Sequence, residues 1–332
     1  MLRTVVEADG RLRVLPTVPD VMIEWLDCSP SEARAQRHHR VLDVGRWPLF
    51  GAALTRGEDS KTYLHFDFDL IIMDARSLHL FFEEWGTLVA GLLAHGSMPA
   101  LASPPPWRQV VAARDRISPD PHKLDRARAY WEARLSELGD APLLPYACPL
   151  HTIVAPTFEH RERHLSATTT EALQRHARHL GCTVSVMLLA AYAEVLSAFS
   201  GPQSACVINV LSSNQPEGVP TAIGDFSSLV LVRVDLGAAS FSEMAAAVQQ
   251  QLWQDLDHGD VGGVEVQRAL AARQGRPGAA VLPVVFTGMI GMLNRSVMNW
   301  AGQLTHTCSQ TSQATLDNQV CLRKIATTLV TN

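Results

Sequence analysis

His65, Asp67, Asp69 and Asp74 stand within one short stretch of the chain. Carboxylates five residues apart, with an imidazole nearby, are suited to proton transfer, one group giving a proton while another takes it. From Tyr63 to Ile72 the residues alternate. Leu64, Phe66, Phe68, Leu70 and Ile72 fall on one face, and Tyr63, His65, Asp67 and Asp69 on the other. This predicts a strand with one dry face and one face polar enough to line a cavity, with Asp69 as the candidate acid or base. Asp74 stands where the pattern changes, ahead of a helix predicted over Ala75 to Leu92. It reads as a helix N-cap or a buried ion-pair partner.

The elements that would position these groups alternate irregularly between strand and helix. Strands are expected at Met1–Val6, Leu12–Leu15 and Ala52–Thr55, and a helix capped by Ser29 or Ser31 is expected to run to about Val41. Pro99 to Trp107 reads as a proline-rich link, followed by a helix over His122–Leu138. Ala141 to Pro156 holds four prolines and reads as the bridge between two lobes. Beyond it, helices are expected at Thr168–Leu180, Val184–Phe199 and Phe241–Asp257, and strands at Cys206–Leu211, Leu229–Val234 and Val281–Phe286. The expectation is an α/β (α+β) fold with a mixed sheet in each of two lobes, 1–150 and 151–332.

Composition narrows the classes. Of 332 residues, 47% are hydrophobic and 18% charged, enough for a sizeable core and against disorder. A formal charge of -5 without a basic, aromatic-interleaved stripe argues against nucleic acid. The longest apolar stretch, Ser185 to Phe199, is too short for a membrane span and holds Glu194, so it reads as a core helix. The six cysteines are scattered without metal-ligand spacing and read as free thiols; with no leader pattern, a cytoplasmic setting is expected and no metal. His258 reads as a dipole partner at a helix end, and His38 and His39 as helix-surface residues.

Asp69-Leu-Ile-Ile-Met-Asp74-Ala-Arg-Ser77 resembles the DxxxxDxxS signature of heterocyclization domains of nonribosomal peptide synthetases. That signature replaces the HHxxxDG motif of the related condensation domains. Leu70 then stands at the second histidine and cannot transfer a proton. The resemblance runs nearly end to end. Trp47–Phe50 is similar to WPLF, Gly224–Ser228 to GDFTS, Leu252–His258 to LWxDLDH, and Pro283–Thr287 to PVVFTS. Ser309-Gln310-Thr311 with Leu316-Asp317 is similar to SQTPQxWLD.

The resemblance implies a chloramphenicol-acetyltransferase-like fold in two lobes. It also implies that an acyl group and a Cys, Ser or Thr arrive on phosphopantetheine arms of upstream and downstream peptidyl carrier proteins, alongside other synthetase modules. Amide formation and then cyclodehydration would give a thiazoline or oxazoline. The threonine and aspartate assigned to cyclodehydration fall on Thr287 and Asp317. Asp69, Asp74, Ser77 and Asp225 are implied to be motif or supporting positions, and Asn209, Asn214 and Gln310 to line the substrate tunnel.

Some positions depart from the pattern. The LNLTLFNR segment becomes Ile208–Gln215, keeping both asparagines; Gly288 replaces the serine of FTS, and Ser312 and Thr315 replace a proline and a tryptophan. Relative to the family the chain reads as shortened at both ends, with Cys321–Asn332 unlike the continuation. The alternative reading is therefore a catalytically silent fragment that binds carrier proteins or another polypeptide. A free-standing acyltransferase of the same superfamily is disfavoured by Leu70.

Overall fold

A strand with one apolar face needs a surface to lay it against, and the early part of the chain builds that pairing in sequence order. The computed structural model describes residues 1–116, 120–154, 157–159, 161–237, 240–279, 281–290, 316–322 and 327–331. β1 (Thr4–Val6) and β2 (Leu12–Val14) pair antiparallel. β3 (Glu24–Trp25) runs parallel to β4 (Phe50–Arg56), which forms an antiparallel hairpin with β5 (Thr62–Phe68) in the register Phe50↔Phe68 to Arg56↔Thr62. Between them α1 (Pro30–His38) starts at a capping box in which Ser29 and Glu32 satisfy each other's backbone N–H.

α2 (Ala75–His95) begins at the Asp74 cap and ends at Gly96, whose φ of 68° suits a residue without Cβ. Its Phe81, Phe82 and Trp85 pack edge-on against Phe66 of β5, with ring centroids 5.3–5.8 Å apart. The even-numbered side chains of β5 therefore do meet an apolar surface. The strand, however, stops at Phe68 rather than Ile72. Asp69 turns the chain instead: its Oδ1 accepts from the Ile71 N–H at 2.9 Å, and its carbonyl accepts from Ile72 N. Apolar alternation continued through a turn, which is why the pattern overran the strand.

α3 (Trp107–Arg116) was not expected from the sequence, although three prolines ahead of Trp107 and the apolar Val110 and Ala113 mark a helix start. Val110 packs with Val219, Ala222 and Phe226. Residues 1–116 and 215–226 thus form one compact unit.

The second unit comprises residues 117–214 and 227–296 with the final strands. It contains α4 (Pro121–Arg134), β6 (Arg161–Leu165), α5 (Ala167–His179), α6 (Val184–Phe199), β7 (Ala205–Ser213), β8 (Ser227–Asp235), α7 (Phe241–Asp257), α8 (Gly263–Arg273), β9 (Val284–Met289), β10 (Leu316–Leu322) and β11 (Thr327–Thr331). Its mixed sheet has the order β6-β11-β10-β9-β7-β8, with β9 parallel to both β7 and β10 and the remaining pairs antiparallel.

Alternation along these strands sorts two cores. Ile208, Val232, Phe286 and Val320 meet α6. Val207 and Leu231 point the other way and pack with Trp131 of α4, Leu270 of α8 and Leu282. α6 buries its apolar surface on the sheet, and among the described residues no single helix is long and apolar enough to cross a membrane; α5 and α6 reach that length together only across a 94° bend.

The expected division at residue 150 differs from the observed one. α4 and residues 141–146 pack on the second unit: Val207 N donates to Asp140 O, Leu143 N to Gln203, and Leu144 packs against the α6 core. Prolines mark Ala141–Pro156 as a bridge, but its first residues, Ala141, Leu143 and Leu144, are held within the second unit. The chain instead changes unit near residues 116, 214 and 226.

Candidate active site

Asp74 is placed by the end of the hairpin and the start of α2, and both its carboxylate oxygens are used. Oδ1 accepts from Ser77 N at 2.8 Å, the helix cap, and Oδ2 accepts from Phe226 N at 3.2 Å. Ser77 grips the same distant loop, its Oγ donating to Gly224 O at 2.8 Å and accepting from Gly224 N at 3.0 Å. Asp74 N completes the clasp by donating to Gly224 O. Asp74 and Ser77 are 5% and 1% exposed, so these bonds are made away from water. Gly224 has to be glycine for a spatial reason. A Cβ there would lie 2.8 Å from the Trp107 ring. Asp225 sits exposed in the loop so held.

The polar face of β5 is likewise occupied by structural partners. Asp67 pairs with Arg37 and Arg40, and His65 Nε2 lies 2.8 Å from Thr55 Oγ1. Asp69 is half-buried in its turn rather than on that face. The cluster that looked suited to proton transfer is thus broken up into an ion pair, a side-chain bond, a turn and a cap.

In the second unit, parallel pairing of β9 and β10 sets Gln319 opposite Thr287 and Asp317 opposite Val285. Thr287 Oγ1 donates to Asp317 Oδ1 at 2.9 Å, and Gln319 Nε2 donates to Asp317 Oδ2 at 2.8 Å. Thr287 is 5% and Asp317 8% exposed. Burial pushes the Asp317 carboxyl above its ordinary range, and the bonds from Gln319 and Thr287 oppose that rise without cancelling it. Among the described residues no cation forms an ion pair with it. On the α6 side, the buried Tyr192 hydroxyl has no hydrogen-bond partner among the described residues, its ionisation pushed upward by burial and then by the Asp317 charge.

Asn209 of β7 faces Val285 across the other side of β9, so Asn209, Val285 and Asp317 form one row across three strands. Its Nδ2 donates to Leu282 O at 2.6 Å, which fixes the amide orientation and leaves a buried acceptor at Oδ1 with no partner among the described residues. Asn214 lies beyond the end of β7 and is exposed. Gln310 falls outside the described residues. Gln319 was not among the candidates. The signal for it was the period of two, which puts it on the same face as Asp317.

The Leu252–His258 segment is structural in a different way. Asp255 is buried and accepts from Tyr130 Oη at 2.7 Å and from Gln251 Nε2 at 3.0 Å, with Arg134 alongside. Burial raises the Asp255 carboxyl and, with the Asp255 bond, lifts Tyr130 to about 12. His258 stacks flat on Tyr130, centroids 3.9 Å apart, while Trp131 Nε1 donates to its carbonyl.

The condensation-domain family model matches residues 18–298. Pyochelin synthetase PchF of Pseudomonas aeruginosa is 32% identical over 339 residues, covering 96% of this chain. Phenyloxazoline synthase MbtB of Mycobacterium tuberculosis is 31% identical over 278 residues, covering 82%. The chain spans 18% of the length of each of these two relatives. The solved cyclization-docking bidomain of EpoB from Sorangium cellulosum superposes with a TM-score of 0.82 at 28% identity, covering 99% of this chain and 69% of that one. The two mixed sheets are those of the chloramphenicol-acetyltransferase-like fold, and the chain belongs to the condensation-domain family of nonribosomal peptide synthetases, as a domain of the heterocyclization type.

Proposed function

We propose that this domain joins a carrier-bound acyl group to a carrier-bound Cys, Ser or Thr and then closes the product to a thiazoline or oxazoline. Both substrates would be thioesters on phosphopantetheine arms of neighbouring carrier proteins. The acceptor amine attacks the donor thioester carbon, forming an amide and releasing the donor arm's thiol. The acceptor side chain, as thiol or hydroxyl, then adds to the amide carbon. The resulting hydroxyl departs as water, the nitrogen loses its proton, and a C=N bond closes the ring.

The observation that carries this reading is the buried Thr287–Asp317 pair, whose carboxyl burial pushes above its ordinary range. Burial favours the protonated form of this carboxyl, and a protonated carboxyl can deliver its proton to a departing hydroxyl. Thr287 fixes one carboxyl oxygen. Asn209 Oδ1 offers an acceptor on the same row for a substrate N–H. Leu70, at the position of the condensation histidine, has no proton to move, so amide formation rests on holding amine and thioester together. PchF is named a pyochelin synthetase, MbtB a phenyloxazoline synthase, and the EpoB structure a cyclization-docking bidomain, which supports the ring-forming assignment.

The test uses Asp317→Asn and Thr287→Val in the polypeptide that carries the domain, supplied with acyl-loaded donor and cysteinyl-loaded acceptor carriers. Open-chain amide should accumulate while ring product falls at least about 100-fold for Asp317→Asn. Undiminished ring formation in Asp317→Asn, or equal loss of amide and ring, would overturn the assignment.

A further inference from the structure

Both oxygens of the Asp317 carboxyl are held from the same row of the sheet. Thr287 on β9 and Gln319 on β10 stand opposite each other in the parallel register, two residue pairs beyond the Val285–Asp317 row and so on the same face. Thr287 Oγ1 takes Oδ1 at 2.9 Å and Gln319 Nε2 takes Oδ2 at 2.8 Å. Two donors, one on each oxygen, fix the plane of a carboxyl, each oxygen having a further lone pair besides the one so engaged. One donor alone would leave the group free to rotate about χ2.

We propose that Gln319 is a positioning residue for Asp317, holding Oδ2 so that the carboxyl plane presented to the substrate is fixed. The inference rests on Asp317 being the proton carrier and adds the residue that aims it. It also carries an electrostatic consequence. A donor to the ionised carboxyl favours that form, so Gln319 restrains the upward push of burial. Among the described residues, the groups that bear on Asp317 are Thr287 from β9, Tyr192 from α6 and Gln319 from its own strand. With no cation paired to it among the described residues, the amide bond is a principal restraint on where the carboxyl titrates.

Two substitutions separate positioning from packing. Gln319→Met keeps much of the volume but removes the donor, and Gln319→Glu keeps the shape but places a second carboxyl against the first. Aspartate carboxyls labelled with carbon-13 would be titrated by NMR, with the Asp317 resonance assigned by its loss in Asp317→Asn. The Asp317 midpoint should rise by about one pH unit in Gln319→Met and further in Gln319→Glu. In parallel, ring closure of an N-acylcysteinyl pantetheine thioester would be followed by loss of one water. If the protonated carboxyl is the acid, the fall in rate toward high pH moves upward in the same order, with KM little changed.

A midpoint that stays in place in both variants would overturn the proposal, as would a Gln319→Glu protein that titrates like the parent. Should Asp317→Asn close the ring as fast as the parent while the NMR shifts are as expected, the catalytic reading of Asp317 fails and the positioning contact stands. If Gln319→Met does not fold, the near-isosteric Gln319→Glu still decides the case.

Discussion

Replacing Asp74 with alanine should cost far more than replacing Asp69, although the two stand together in one signature. Asp74→Ala removes the cap on Ser77 N, worth about 1 kcal/mol. It also leaves the Phe226 N–H buried without its partner, at about 1–3 kcal/mol. The sum is about 2–4 kcal/mol of stability for the unit built from residues 1–116 and 215–226. Asp69→Ala loses one bond, to Ile71 N in a half-buried turn, and should cost under about 1 kcal/mol. Urea titration gives the global cost. Amide hydrogen exchange at Ser77, Gly224 and Phe226 reports whether the loop has come loose, and should speed up in Asp74→Ala but not in Asp69→Ala. Ser77→Ala breaks the other half of the clasp, so the double variant should lose less than the sum of the singles. Equal costs for the two aspartates, or unchanged exchange at Phe226 in Asp74→Ala, would refute the clasp as the role of Asp74. So would ring formation lost in Asp74→Ala with stability intact.

Two further outcomes follow from the second unit. At Gly263 a Cβ would lie 1.8 Å from the Leu229 carbonyl oxygen, a backbone atom that cannot swing aside, so Gly263→Ala should destabilise by about 1–3 kcal/mol, read as a lower urea midpoint. For Asp317 the sign follows from its raised ionisation: its contribution to stability is complete below the ordinary carboxylate value of 3.8 and is lost as pH rises through the folded value. Asp317→Asn stays neutral throughout. Parent minus variant unfolding free energy should therefore decline with rising pH across that window, and a difference independent of pH would contradict the buried, raised carboxyl.

The sequence showed most of this architecture, but read by spacing alone it singled out carboxylates of the first unit that the structure engages in a cap, a turn and an ion pair. Period-two and helical patterns located α2, α6, α7, β7 and β8 to within a few residues, because each has one face that must find a core. The Asp74 cap was legible because a polar residue preceding a long apolar helix has few other uses. Its bonds to residues 224 and 226 were not legible, since contacts some 150 positions apart leave no mark on local periodicity. The same blindness hid α3 beneath its prolines and moved the boundary between units, which a proline-rich stretch had seemed to mark.

The Thr287–Asp317 contact is of the long-range kind too, and spacing within one short segment cannot reveal it; only the family resemblance pointed to both residues. What places the carboxyl is the apolar pattern around it. On β10, Leu316 and Val320 pack toward α6, so Asp317 and Gln319 must take the opposite face. A slip of one residue in the pairing of β10 with β9 would turn Asp317 into the packed surface of α6 and Phe286 and expose Val320 on the polar side. Burying an unpaired carboxylate there would cost far more than any single apolar contact restores. The apolar residues of β10 therefore decide which face Asp317 occupies, and substitutions at Leu316 or Val320 that loosen the register should disturb Asp317 without contacting it.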